Sequence, residues 1–415
     1  MNINTDTTTV IHWIEAGEAH SARWRSESGH PPPRHVVIAD DQTSADTAYR
    51  LACEGTALLW RGDFQNARQM LQALMRRAER KPRRKSAPSA AASTSPAATF
   101  HLYRQAQAQR ARTLAMLLLP LEGDYSVPLR RAPDLREACE EAYGPPGEGA
   151  SVVSLRELLG LIGAHEWRKK GVSIPALGER IHPHYGVFSP IRGEYVSLVA
   201  AAPLPTQPVD AGFLSAESPT TPLPPVALAF DIGTGTGVLA ALLARRGVAR
   251  IIATDQDPRA LACARENIVR LGLVEQVEVV AADLFPAGRA PLVVCNPPWL
   301  PARPSSPLEH AVYDPDSRML RGFIAGLAAH LTPDGEGWLL LSDLAEHLGL
   351  RSRAELLAAF AAAGLSVVGR HDVRPHHPRA ADANDPLHTA RAAEVTSLWR
   401  LRAGSGETQG KPQGK

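Results

Sequence analysis

The sequence predicts an α/β chain of 415 residues, with a Rossmann-like parallel sheet in the C-terminal half and a mainly helical N-terminal half. Three features carry that reading. From Pro225 onward, short apolar runs alternate with helical patterns, as expected for a parallel sheet with helices on both faces. The first run, Val226-Ala227-Leu228-Ala229-Phe230, leads into Asp231-Ile232-Gly233-Thr234-Gly235-Thr236-Gly237, a glycine loop opening a helix. The fourth run ends, some sixty residues later, in Asn296-Pro297-Pro298-Trp299.

Taken in order, residues 1–202 read as the helical region. Between Ala45 and Arg80, leucines at 51, 58, 59, 71 and 74 and Phe64 fall at broadly helical intervals, broken at Gly62-Asp63. This predicts a helical hairpin, similar to a single tetratricopeptide-like unit. Asp134 with Glu137 marks a helix start after Pro133, and Ser154 with Glu157 reads as a capping box, with Gly171 as the stop. The stretch 81–98 is rich in Pro, Ser, Ala and basic residues and reads as a disordered linker. A substrate-side hairpin is expected near 181–195. Residues 203–225 form a Pro-rich linker, 226–403 the α/β domain, and 404–415 a polar disordered tail.

Within 226–403, strands are predicted at 226–230, 250–254, 276–281, 291–295 and 338–341, and helices at 238–246, 258–271 and 318–331. Two late strands, 366–371 and 394–401, flank a His/Pro-rich loop.

Composition narrows the possibilities. A net charge of +2 gives no global polyanion signature, although Arg76, Arg77, Arg80, Lys81, Arg83, Arg84 and Lys85 form a local basic cluster. That cluster lacks interleaved aromatics and also suits a helix end running into a solvated linker. Cys53, Cys139, Cys263 and Cys295 are scattered, with no C-x-x-C pair, so neither a disulfide framework nor a metal site is expected. His376-His377 reads as exposed loop rather than metal ligand, and Cys295 as core. No signal peptide or membrane-spanning run is read, so a cytoplasmic protein is expected.

The chemistry centres on the two motifs. Gly233, Gly235 and Gly237 let the backbone turn sharply and approach a ligand, while the following helix offers free N–H groups and its positive dipole end. The segment from Gly235 to Ala240 also fits a dinucleotide pattern, so a nicotinamide-dependent oxidoreductase is a competing reading. Asp255, at the end of the second strand, is placed to accept ribose hydroxyls, with Asp257 the better helix cap. Asp283, at the end of the third strand, can accept from an adenine amino group while the Leu284 N–H donates to the ring. A turn-forming role for Asp283 fits equally.

Asn296-Pro297-Pro298-Trp299 separates the cofactors. An amide or aniline-type nitrogen is a poor nucleophile because its lone pair is delocalised. The Asn296 side-chain oxygen and the Pro297 carbonyl can each accept one of its N–H groups, and the prolines hold both acceptors in place. Trp299 can stack on the planar group. A dehydrogenase has no use for this clamp. Tyr313-Asp314-Pro315-Asp316 falls where a pocket wall would lie.

Residues from about 182 to 402 resemble class I S-adenosylmethionine-dependent methyltransferases, in particular the HemK/PrmC-like enzymes of the methyltransferase small domain family. The resemblance rests on Asp231 to Gly237, Thr254-Asp255, Asp283-Leu284-Phe285 and Asn296 to Trp299, with Phe188 to Glu194 resembling the Pro-Arg-x-Glu element that precedes the glycine loop. It implies a seven-stranded sheet with its last strand antiparallel and S-adenosyl-L-methionine as cofactor. It implies cofactor roles for Asp231, Gly233, Gly235, Gly237, Asp255, Asp283 and Leu284, and acceptor-side roles for Asn296, Pro297 and Trp299. The implied partner is a macromolecule, protein glutamine of the release-factor type first and RNA base amines second. A non-catalytic binding module is the remaining alternative. Trp299 departs from the tyrosine usual in glutamine methyltransferases, and the N-terminal region is longer than the helical domain of HemK-like enzymes.

Overall fold

A computed structural model describes residues 9–79, 95–191, 193–205, 226–304, 307–375 and 382–404. The chain divides into two compact units, one reaching to Lys170 and the other beginning at Gly171. The boundary therefore lies some thirty residues before the expected one at 202.

The first unit corrects the helical reading of the N-terminal half. Its helices are α1 (Ala45–Cys53), α2 (Phe64–Glu79), α3 (Pro96–Leu114), α4 (Arg136–Tyr143) and α5 (Leu155–Lys170). They surround a six-stranded sheet of β1 (Val10–Glu15), β2 (Glu18–Arg25), β3 (His35–Ala39), β4 (Thr56–Trp60), β5 (Leu117–Leu121) and β6 (Ser151–Ser154), in the order β1-β2-β6-β5-β4-β3. Strands β3, β4 and β5 run parallel, so α1 is a crossover helix and not half of a helical hairpin. The misreading has a physical source. Leu58, Leu59, Leu117, Leu118 and Leu119 are fully buried. A strand covered on both faces has an apolar run without alternation, which periodicity cannot tell from a buried helix.

The expected capping box at Ser154 does not form. Ser154 Oγ is buried without a hydrogen-bond partner, and Glu157 instead accepts from the Glu27 N–H at 3.1 Å and the Tyr143 hydroxyl at 2.8 Å. Gly171, at φ +69°, does follow the end of α5. The supposed linker 81–98 ends in helix: Ser95 caps α3 through the Ala98 N–H, while 80–94 lie outside the described residues. Most of the basic cluster, the Pro-rich linker from 206, His376-His377 and the tail from 405 also lie outside them.

The second unit opens with a small antiparallel hairpin, β7 (Val172–Ile174) and β8 (Glu179–Ile181), so the hairpin expected at 181–195 lies earlier. Helix α6 (Glu194–Ala201) follows. Then come β9 (Leu228–Ile232), α7 (Val238–Arg245), β10 (Arg250–Asp255), α8 (Pro258–Arg270), β11 (Val277–Ala281) and β12 (Ala290–Cys295). The chain continues through α9 (Arg318–His330), β13 (Leu331–Ser342), α10 (Leu344–His347), α11 (Arg353–Ala362), β14 (Leu365–Val373), α12 (His388–Ala393) and β15 (Thr396–Ala403).

These strands form one seven-stranded sheet in the order β11-β10-β9-β12-β13-β15-β14, with β15 antiparallel to both neighbours and the other pairs parallel. The order reverses between β9 and β12, and such a switch point opens a ligand crevice at the carboxyl ends of the strands. Two apolar clusters cover the two faces. One gathers α6, α7 and α8 residues such as Val196, Leu242 and Ile268, and the other gathers α9 and α11 residues such as Phe323 and Phe360. Helix α7, Val-Leu-Ala-Ala-Leu-Leu-Ala-Arg, is buried from Val238 to Ala244, which holds its N-terminus rigidly at the glycine loop. Helix α8 starts at Pro258 after Asp257, whose carboxylate accepts the Arg259 N–H at 2.9 Å. No helix among the described residues is long and apolar enough to cross a membrane.

Candidate active site at the carboxyl ends of the central strands

Register brings the motifs together. Ile232 of β9 lies beside Thr254 of β10 and Cys295 of β12. The next residues along the three strands are Gly233, Asp255 and Asn296, so a glycine, an acid and an amide emerge side by side at the switch point. Asp255 in turn pairs with Ala281 of β11, which places the Asp283-Leu284 turn one strand further out.

The loop needs its glycines. Gly233, Gly235 and Gly237 have φ values of +70°, +55° and +80°. A Cβ on Gly233 would come 2.3 Å from Met319 Cε, whereas one on Gly235 would face open space. The sequence reading placed Asp231 among the cofactor residues, but its carboxylate is buried and turned inward. Its Oδ2 accepts the Thr234 hydroxyl at 2.6 Å and the Ala240 N–H at 3.1 Å, tying the loop to the first turn of α7. Burial pushes its carboxyl up to about 6, against the pull of those two hydrogen bonds, and the nearby Asp255 charge adds to the rise. Tyr195 of α6 is also raised, chiefly by burial and then by the Asp231 charge.

Asp255 Oδ2 accepts the Gly235 N–H at 3.0 Å and Oδ1 the Asp257 N–H at 3.0 Å. A carboxylate offers about four lone-pair sites, so it can accept from a ligand as well. Burial raises its carboxyl, and the backbone hydrogen bonds oppose that. Asp283 is exposed and its Oδ2 meets Arg318 at 3.0 Å. Leu284 sits at φ +71°, and its carbonyl accepts the Thr254 hydroxyl at 2.6 Å.

Beyond β12, Pro297 is buried and Asn296 and Trp299 are half-buried. Trp299 is not a free platform: its indole Nε1–H donates to Asn296 Oδ1 at 3.0 Å. The chain then doubles back, with the Leu300 N–H on the Val312 carbonyl and the Asp314 N–H on the Leu300 carbonyl. Asp314 is 7% exposed and caps α9 through the Met319 N–H at 2.8 Å; burial raises its carboxyl.

Sequence reasoning passed over two residues that hold this arrangement. Met319 reaches from α9 to the glycine loop. Asn267 is 1% exposed on α8; its Oδ1 accepts the His182 N–H at 2.8 Å, and its Nδ2 donates to the Thr236 carbonyl at 3.1 Å. It straps the segment after β8 to the glycine loop, and the His184–Glu266 contact at 2.7 Å reinforces the strap. The available signal for Asn267 was a polar residue interrupting the apolar stripe of Ala260, Ala264 and Ile268.

Known proteins resemble this part of the chain. Residues 223–361 match the family described as Methyltransferase small domain. The release factor glutamine methyltransferase of Cereibacter sphaeroides is 37% identical over 164 residues, covering 36% of this chain and 58% of that protein. The ribosomal protein L11 methyltransferase of Pelotomaculum thermopropionicum is 46% identical over 69 residues, 16% of this chain and 22% of that protein. A solved ribosomal protein L11 methylase from Lactobacillus delbrueckii subsp. bulgaricus is 18% identical, over 44% of this chain and 72% of that one, with a TM-score of 0.30, too slight to add to the strand order. The chain spans a little over half the length of the first of these relatives. Over residues 223–361, the chain is similar to the methyltransferase small domain family.

Proposed function

We propose that this chain is an S-adenosylmethionine-dependent N-methyltransferase whose acceptor is a planar amide nitrogen on a protein, a glutamine side chain first of all. The observation that carries the reading is the register that sets Asn296 beside Gly233 and Asp255. One crevice thus has cofactor-type residues on one side and an amide-type clamp on the other.

The residues suit that cofactor. The three glycines and the start of α7 can seat its amino-acid portion, Asp255 its ribose, and the Asp283-Leu284 turn its base. When bound, S-adenosylmethionine supplies a methyl group on a positively charged sulfur. Asn296 Oδ1 and the Pro297 carbonyl accept the two N–H groups of the acceptor, which draws its lone pair out of conjugation and aims it. The buried Pro297 keeps one acceptor fixed in direction. No strong base is needed, because the methylated nitrogen loses its extra proton to water.

The relatives named for release factor and for ribosomal protein L11 support a protein acceptor. The test is transfer of labelled methyl from the cofactor to release factors, ribosomal protein L11, ribosomes and transfer RNA. The expected result is label on a glutamine of a release factor. Label only in RNA would move the acceptor to a base amine, and bound cofactor with label in none would refute the reading.

A further inference from the structure

We infer that Trp299 is a positioning residue that fixes which end of the Asn296 amide faces the acceptor. Its indole Nε1–H lies 3.0 Å from Asn296 Oδ1. An indole N–H can only donate, so only the oxygen end of the amide can face it. The pairing therefore settles an orientation that the amide could otherwise reverse. One lone pair of Oδ1 is engaged by the indole, and the other remains for an N–H of the acceptor. A reversed amide would turn its own NH₂ toward an incoming NH₂, donor against donor.

The indole is held firmly enough to act this way. The ring is half-buried against the apolar cluster that includes Phe230, Cys295 and Leu320. Upstream, Pro297 and Pro298 restrict the backbone. Downstream, Leu300 is 6% exposed and pinned through Val312 and Asp314, and Asp314 is in turn fixed to α9. The strut is thus anchored on both sides of Trp299 in sequence.

The contact itself is independent of the acceptor, whereas its effect on transfer rests on the proposed N-methyltransferase reading. The experiment has an arm for each. In nitrogen-15-labelled protein, the Trp299 indole signal, assigned by its loss in Trp299→Phe, should shift and exchange faster in Asn296→Ala. The Asn296 amide signals should move in Trp299→Phe, with cofactor affinity unchanged. Signals that stay in place in both variants overturn the inference, whatever the transfer assay shows.

The second arm uses the acceptor that labelling identifies. Trp299→Phe should lower kcat about 5-fold with KM nearly constant, in keeping with one hydrogen bond. In Asn296→Asp, whose carboxylate has two equivalent oxygens and no orientation to fix, adding Trp299→Phe should change kcat less than twofold. An equal loss in both backgrounds would mean that the ring acts directly on the acceptor, and would overturn the positioning role. Failure to label any acceptor would remove the proposed function, while the first arm would still decide the Trp299–Asn296 contact.

Discussion

Asp255 accepts the backbone N–H of Gly235 through Oδ2 at 3.0 Å, so the acid ending β10 also holds the middle of the glycine loop that follows β9. The carboxylate thereby shapes the loop and remains available to a ligand. Asp255→Ala is expected to weaken S-adenosylhomocysteine binding about 100-fold, from the loss of charge-assisted hydrogen bonds worth about 1.5–3 kcal/mol each. Asp255→Asn, which keeps one acceptor, should lose less. Titration calorimetry reads both, and unchanged affinity in Asp255→Ala would exclude it from the cofactor site.

The close approach of Met319 to Gly233 makes the first loop glycine sensitive to any added atom. Gly233→Ala must place a Cβ 2.3 Å from Met319 Cε while holding φ at +70°. Binding of S-adenosylhomocysteine should fall at least tenfold, with a cost of about 1–3 kcal/mol for the strained backbone. Met319→Ala in the same protein should recover the part due to the clash and not the part due to φ. If the double variant binds no better than Gly233→Ala, Met319 does not crowd the loop.

Asp231 predicts a pH dependence whose sign follows from its raised carboxyl. Folding holds the proton up to about pH 6, whereas the unfolded chain releases it near the ordinary aspartate value of 3.8. The native state is therefore favoured at low pH, and this contribution is lost as pH rises through about 6, amounting to roughly 3 kcal/mol above it. Asp231→Asn can still accept from Thr234 and Ala240 through its oxygen and carries no charge to bury. Its thermal midpoint should gain on the wild type from about pH 4 to about pH 6 and then keep a constant difference. A difference independent of pH would show that Asp231 is not raised.

Asn267 bonds backbone groups of two segments from a position 1% exposed. Asn267→Leu leaves the His182 N–H and the Thr236 carbonyl without that partner, at about 1–3 kcal/mol for each buried group. Chemical denaturation should show a loss of at least 2 kcal/mol. Proteolysis should begin in the segment 182–191. An unaltered denaturation midpoint would show that the strap carries no stability.

The second unit was legible because its signals are local. Asp257 before Pro258 announced α8, and the apolar run into Gly233-Thr234-Gly235 marked a strand, a turn and a helix at once. Helix α11 was equally legible but passed over: Ser352 and Glu355 form a complete capping box ahead of it. The first unit was not legible in the same way. Strands β4 and β5 are covered on both faces, so their leucines carry no alternation, and the Ser154-Leu155-Arg156-Glu157 spacing at α5 was outcompeted by the Glu157 contacts with Tyr143 and Glu27.

By itself, then, the sequence determined the alternation of strands and helices and the residue types at the carboxyl ends of those strands, because glycines, prolines and helix caps act within a few residues of themselves. Only the tertiary structure decided what each group does there. Asp231 faced inward because Thr234 and Ala240 needed its oxygen. Arg318 engaged Asp283, and Met319 settled over Gly233, from a helix that begins well beyond both along the chain. The donor-only indole of Trp299 faced Asn296 because the return of the chain at Leu300 and Asp314 held it there. Those roles depend on which groups compete for one oxygen in three dimensions, and spacing along the chain carries no record of that competition.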